Sequence, residues 1–179
     1  MKQTFAISDL HLNHRNIISH CSRPFKSLRE MNHTLISNWN SVVGVNDYVY
    51  FLGDLAFGNG DKFVDSLNGR IYFIWGNHDK TANPELNHAS IFKVIDGIPL
   101  LFIHDSAMVP KDYHGWVIHG HNHNNNPKIF PFFDPDRKRV NVCVEMINYY
   151  PIELSYIIKL IQTCNVKITY CPKKQVVPL

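Results

Sequence analysis

The sequence predicts a layered α/β domain. Short apolar, β-branched runs alternate with segments of helical periodicity, and Asp9, Asp54, Asn77, His104 and His121 each stand just after one of the strand-like runs. In layered α/β folds, polar groups at strand ends gather along one edge of a sheet, so this placement points to a single site. A chain of 179 residues with 45% hydrophobic content fits one domain, residues 1–179, with apolar side chains enough for a core.

The elements follow in chain order. Thr4–Ser8 is a short apolar run that ends in SDLH, a buried first strand. Ser27–Val43 sets Leu28, Met31, Leu35, Ile36 and Trp39 near helical spacing, which predicts an amphipathic helix. Asp47–Leu52 is β-branched and aromatic and runs into Gly53-Asp54 as a second strand. Asp61–Leu67 reads as a short helix stopped by Asn68-Gly69, and Arg70–Trp75 as a third strand feeding GNHD. Ile91–Ile95 and Ile98–Ile103 flank Asp96-Gly97, a strong hairpin signal. Gly115–Ile118 leads into HGHNH. Asn124–Arg139, rich in Asn, Pro and charge, is expected as an exposed loop, and Val140–Val144 as a strand. Pro151 stands at a favoured helix start for Pro151–Ile161, and Val166–Tyr170 is expected as a last strand.

Composition excludes several classes. The formal charge of +3 is mild and scattered, without the basic stripe of a dedicated nucleic-acid surface, and it leaves room for a small phosphorylated substrate drawn by a local positive field. The opening MKQTFAISDL has too short an apolar run for a signal peptide, and no segment approaches a membrane span. Cys21, Cys143, Cys164 and Cys171 show no metal-finger spacing and read as packed thiols of a reducing compartment, so a cytoplasmic protein is expected.

Eleven histidines are the unusual feature, and several cluster beside Asp, Asn and Gly. The motifs in order are SDLH (Ser8–His11), GD (Gly53-Asp54), GNHD (Gly76–Asp79), IHD (Ile103–Asp105) and HGHNH (His119–His123). Carboxylate, imidazole and amide oxygen together are the ligand mixture of a hard or borderline divalent ion. Asp9 and His11 are separated by one residue, so on an extended segment they point the same way, and His121 and His123 repeat the spacing. Gly53, Gly76 and Gly120 let backbone turn tightly beside the ions.

The ordered set D-x-H, GD, GNHD, H and GHxH resembles the calcineurin-like metallophosphoesterase superfamily and spans most of the chain. DLHLNHRNII, RPF, LISNWNSVV, YFLGDLAFG, LNGR and GNHD are similar to a branch of small bacterial and phage phosphoesterases. The resemblance implies a four-layer α/β/β/α sandwich of two mixed sheets with two divalent metals at the strand ends. It implies that Asp9, His11 and His123 bind the first ion, that Asn77, His104 and His121 bind the second, and that Asp54 bridges both. Mn is the favoured metal, with Fe, Ni and Zn as alternatives. The activity implied is hydrolysis of a small phosphodiester, with cyclic and linear nucleotides as candidates, by in-line attack of a hydroxide bridging the two ions. A phosphomonoesterase or nuclease with the same site is the alternative, and a non-catalytic scaffold of the same fold is a further one. Such scaffolds tend to erode the ligand set, which is intact here.

His78 lies outside the ligand set and is expected to stabilise the transition state or protonate the leaving group. His119 is expected as support for its neighbours. Arg15 and Asn16 follow the first ligand pair and are expected to meet substrate phosphate, with Arg23 a weaker candidate. Glu145 is expected to be structural, and His14, His20, His33, His88 and His114 are expected as surface or packing residues. Phe130–Phe133 reads as loop packing in preference to an aromatic lid. The sequence departs from the superfamily's protein phosphatases: they continue GD with a further acid that orients the GNHD-type histidine, whereas Phe57 stands at that position here. That weighs against a protein phosphatase and leaves the partner of His78 open.

Overall fold

The structure, a computed structural model, describes residues 2–80 and 87–172. Its strands are β1 (Thr4–Ile7), β2 (Tyr48–Phe51), β3 (Arg70–Ile74), β4 (Asn87–His88), β5 (Ser90–Ile95), β6 (Ile98–Ile103), β7 (Trp116–His119), β8 (Phe133–Asp134), β9 (Arg139–Asn141) and β10 (Ile152–Glu153). They form two mixed five-stranded sheets, in the orders β10-β1-β2-β3-β4 and β5-β6-β7-β9-β8. In the first, β1, β2, β3 and β4 run parallel and β10 closes the edge antiparallel to β1. In the second, β6, β7 and β9 run parallel between antiparallel β5 and β8.

Side chains of β2 show how the layers meet, because successive strand residues face opposite ways. Tyr50 stacks on Phe102 of β6, 4.2 Å between centroids, and joins the two sheets. Phe51, facing the other way, lies 6.1 Å from the ring of Trp39 on helix α2 (Leu28–Val42). Met31, Leu35 and Trp39, spaced four apart, are the buried stripe of α2. Its start is well defined: Ser27 accepts from the Glu30 N–H at 3.1 Å, and the Glu30 carboxylate accepts from the Lys26 N–H at 2.8 Å. Helix α4 (Leu154–Thr163) packs on β1 and β10. Two short helices, α1 (Ile17–His20) and α3 (Asp61–Val64), sit in the connections after β1 and β2. Leu101, Ile103 and Val117 form a smaller buried cluster on the second sheet, covered by Val109 and Tyr113. Among the described residues this cover is a connecting segment, not a helix. No helix among them is long and apolar enough to cross a membrane.

Most expected elements are present, and the hairpin turn has φ of 51° at Asp96 and 77° at Gly97, the double left-handed geometry that Asp-Gly favours. Three expectations are corrected. The segment expected as an exposed loop contains β8, and Phe132, Phe133 and Asp134 within it are buried; Trp116 stacks on Phe133 at 5.1 Å. Pro151 does not open a helix, because Ile152–Glu153 is first used to pair the free edge of β1. Val166–Tyr170 makes a single bridge, Ile168 to Phe133, rather than a strand.

The loops that follow the parallel strands are held together by backbone hydrogen bonds, of which that from Ser8 joins the two sheets. The Ser8 N–H donates to the Val142 carbonyl at 3.1 Å and the Val142 N–H to the His119 carbonyl at 2.8 Å. The Asp9 N–H donates to the Gly53 carbonyl at 3.0 Å, the His11 N–H to the Asp54 carbonyl at 3.0 Å, and the Gly120 N–H to the His104 carbonyl at 2.9 Å. Loops this close leave no room for side chains at their crossings. At Gly53, with φ of 91°, an added Cβ would lie 2.6 Å from Gly76 Cα and 2.8 Å from His104 Nδ1. Gly58 has a similar φ of 85° but open space around it. Chemical denaturation should therefore show a loss of roughly 3 kcal/mol or more for Gly53→Ala and only about 1–2 kcal/mol for Gly58→Ala; equal losses would mean that the loop crossing carries no steric constraint.

Candidate metal centre

The ligand-type residues stand at the C-terminal ends of β1, β2, β3, β6 and β7, and the backbone that presents them is unusual. Asp9 (φ 61°), His11 (50°), Asp54 (59°), His121 (67°) and His123 (47°) are all left-handed. This conformation is rare for residues with a Cβ and persists only where the surroundings impose it. It corrects the expectation that the two paired motifs converge by strand alternation; they converge through a kink at each ligand.

The side chains form two groups joined at one point. His123 Nε2 and His11 Nε2 lie 3.5 and 3.9 Å from Asp9 Oδ1. Asn77 Oδ1 lies 2.9 Å from both His104 Nε2 and His121 Nδ1, and those nitrogens are 3.3 Å apart. Asp54 Oδ2 is 3.3 Å from His11 Nε2 and 3.6 Å from His104 Nε2, so it touches both groups. Asp9 Oδ1 and His11 Nε2 are buried without a hydrogen-bond partner. Unpartnered lone pairs held inside a protein are costly unless something else satisfies them. Their convergence with Asp, Asn and His donors fits divalent cations.

The remaining atoms of these side chains are tied down. Asp9 Oδ2 accepts from the Ser8 hydroxyl, from the His121 N–H at 3.0 Å and from the Cys143 thiol at 3.1 Å, which leaves Oδ1 to face the site. Burial opposes charge on Asp9, but His123, His104, His11 and the Ser8 hydroxyl together hold its carboxyl well below the usual carboxylate range. Burial likewise opposes charge on Asp54, and contacts with His11 and His104 lower it despite repulsion by Asp9. His104 Nδ1 lies 2.7 Å from the Leu52 carbonyl, and an N–H there turns Nε2 into the site. Asp79 accepts from the backbone N–H groups of Asp54, Leu55 and Gly76 at 2.8, 2.8 and 2.9 Å, clamping the GD loop to GNHD.

Two residues outside the predicted set complete the support. Arg23, 4% exposed, donates to the carbonyls of Asp9 and Leu10 at 2.8 Å each and to Glu145 Oε1 at 2.8 Å through Nε. Glu145 faces His123 Nδ1 at 3.1 Å with both oxygens, so His123 turns Nε2 toward Asp9. Burial disfavours protonation of His123, yet Asp9, the Cys21 thiol and Glu145 raise its pKa well above the usual histidine range, and a cation held at Nε2 would displace that proton. Glu145 is thus structural, as expected. Arg23 is corrected: its donors are spent under the first ligand loop, so it does not meet phosphate. The missed signal was a charge inside the apolar run VNVCVE, since a buried acid needs a partner.

His78 is exposed and shares a pocket of about 440 Å³ with His11, Asp54, His121 and His123. Its N–H donates to Asp54 Oδ1 at 2.9 Å. Asp79, its neighbour, is fully engaged by backbone and does not orient its ring. Phe57, 60% exposed at the departed acid position, stacks instead on His14 at 5.0 Å. His14 and His20, expected as surface or packing residues, line this pocket, and His14 Nδ1 lies 3.3 Å from His11 Nδ1. Arg15 and Asn16 are exposed on the turn before α1 and are not among the walls of the pocket. His119 is buried, with Nδ1 3.0 Å from the Gly120 carbonyl, in keeping with a supporting role.

Glu145→Gln should weaken Mn²⁺ binding by about 10- to 100-fold in titration calorimetry, as expected when a candidate ligand histidine loses its carboxylate, and should also lower stability because buried Arg23 loses its counter-charge; unchanged affinity would remove Glu145 from the site. Burial pushes His119 down from 6.5 to about 4. Between those values the unfolded chain binds a proton that the folded chain refuses. Stability should therefore be complete above pH 6.5 and fall on acidification toward pH 4, by up to about 3 kcal/mol. Comparing denaturation curves of His119→Gln and the natural chain across that range should show this part of the slope missing in the variant.

No family model matches the chain. Uncharacterized protein MJ1445 of Methanocaldococcus jannaschii is 45% identical over 170 residues, covering 90% of this chain and 93% of that protein. Gene 66 protein of Mycobacterium phage L5 is 30% identical over 113 residues, 60% of this chain and 53% of its own. Among solved structures, the protein of unknown function AQ665 from Aquifex aeolicus is similar in fold, with a TM-score of 0.66 at 22% identity over 89% of this chain and all of that one. At that identity the likeness speaks for the fold alone. With nearly half its residues shared along almost the full length of both proteins, the chain belongs to the family of the archaeal protein MJ1445.

Proposed function

We propose that the chain is a two-metal phosphoesterase of the calcineurin-like superfamily acting on a small phosphodiester, with nucleotides as the candidate class. The observation that carries this reading is the position of Asp54, in reach of both His11 and His104, with the unpartnered Asp9 Oδ1 and His11 Nε2 beside it. Asp9, His11 and His123 would hold one divalent ion, Asn77, His104 and His121 the other, and Asp54 would share both, with Mn favoured over Fe, Ni and Zn. Bound there, two such ions supply a water of lowered pKa and neutralise charge on the phosphoryl oxygens.

The protein's own groups do the rest. The hydrogen bonds on Asp9 Oδ2, His104 Nδ1 and His123 Nδ1 fix the ligands before substrate arrives, so little reorganisation accompanies reaction. His78, exposed at the pocket wall, is placed to give a proton to the leaving oxygen or to hold charge on the phosphoryl group. Burial of Asp9, His11 and Asp54 keeps bulk water from the inner side of the site.

Purified protein freed of metal by a chelator should hydrolyse bis-p-nitrophenyl phosphate only after Mn²⁺ is added back. Asp54→Asn should lower that rate by about 100-fold or more, while the variant still unfolds in one cooperative transition. No hydrolysis of aryl diester or monoester with Mn, Fe, Ni or Zn, or full activity in Asp54→Asn, would overturn the proposal.

A further inference from the structure

We infer that the site has a second compartment that binds a flat aromatic ring, the base of a nucleoside esterified to the phosphate. The inference rests on the phosphoesterase reading for the place of the phosphate, but not for the ring. A cavity of about 760 Å³ opens on the far side of the second ligand group and shares Asn77, His104 and His121 with it. A group inside it therefore lies next to a phosphate held at those residues. The volume suits a small organic ligand, not a chain of residues.

The cavity is apolar where the site is polar. Trp75, at the end of β3, is 42% exposed, and Met108, on the short 3-10 turn Ser106–Met108, is 72% exposed. Ile103 and Pro110 line it too. The largest side chain of the set thus stands in water beside a polar centre, which is unfavourable in the free protein and relieved when a flat apolar surface covers it. A thioether adds favourable contact with an aromatic ring. Polar atoms are sparse and placed at the rim. Asp105 keeps one carboxylate oxygen on the Ala107 N–H at 2.8 Å, and the other, 3.9 Å from His121 Nε2, accepts further donors. Ser90 supplies a hydroxyl. An aromatic face with an acceptor at its edge matches a base that bears an exocyclic amino group, and it offers an alkyl chain no use for the acid.

The other tryptophans report little on this cavity: Trp39 is fully buried, and Trp116 is stacked on Phe133. Binding of AMP and of ribose 5-phosphate to the Mn²⁺-loaded protein tests the inference by calorimetry and tryptophan emission. AMP should bind about tenfold more tightly than ribose 5-phosphate, as one stacked base provides, and should quench emission. Trp75→Ala should close the gap between the two ligands, and Trp75→Phe should restore most of it without the quenching. Equal affinities in the natural chain, or a gap that survives Trp75→Ala, would overturn the subsite. Preferential AMP binding by a protein that hydrolyses no ester would overturn the hydrolase reading and leave the subsite standing. Ester hydrolysis with equal affinities would do the reverse.

Discussion

Asp9 and Asp54 lie on either side of the His11 imidazole, both buried and both within 3.9 Å of its Nε2. Two carboxylates held out of water repel each other, and each loses hydration that a surface acid keeps. Much of the surrounding structure answers that difficulty. Ser8, Cys143 and the His121 N–H satisfy one oxygen of Asp9, and the His78 N–H satisfies one of Asp54. Arg23 brings a fixed positive charge beneath the loop that carries Asp9 and His11. The left-handed residues are the backbone's share: strand ends that continued in extended form would carry these side chains past one another.

The fold was readable wherever a local pattern sufficed. Alternating apolar runs placed β1, β2, β3, β5 and β6, the Asp96-Gly97 turn announced the hairpin, and four-residue spacing placed α2. Elements of two residues, such as β8 and β10, carry no periodic signal and exist because a neighbouring strand has a free edge. The ligand-type residues were readable for a similar reason, each lying within four residues of a strand end. Arg23 and Glu145 were not, because they meet across 122 positions. Nor were the left-handed conformations, since Asp and His adopt them only where tertiary contacts impose them.

The site has two characters. On the side of β1 it is crowded with imidazoles, His11, His14, His78 and His123, and Phe57 stacks on one of them, His14. On the side of β3 and β6 it opens into apolar walls. Both sheets contribute: the first supplies the SDLH, GD and GNHD loops, and the second supplies His104 and HGHNH. Under the proposed function, charge recognition would rest on the loops of ligand-type residues and shape recognition on the residues around Trp75 and Met108.

The Arg23–Glu145 contact also bears on how the protein comes into being. During synthesis the segment carrying Asp9, His11 and Arg23 emerges first, and Glu145, which orients His123, emerges only after most of the domain has been made. Until then the growing chain holds these donors apart, and the full set that the proposed metal site needs exists only in the finished fold.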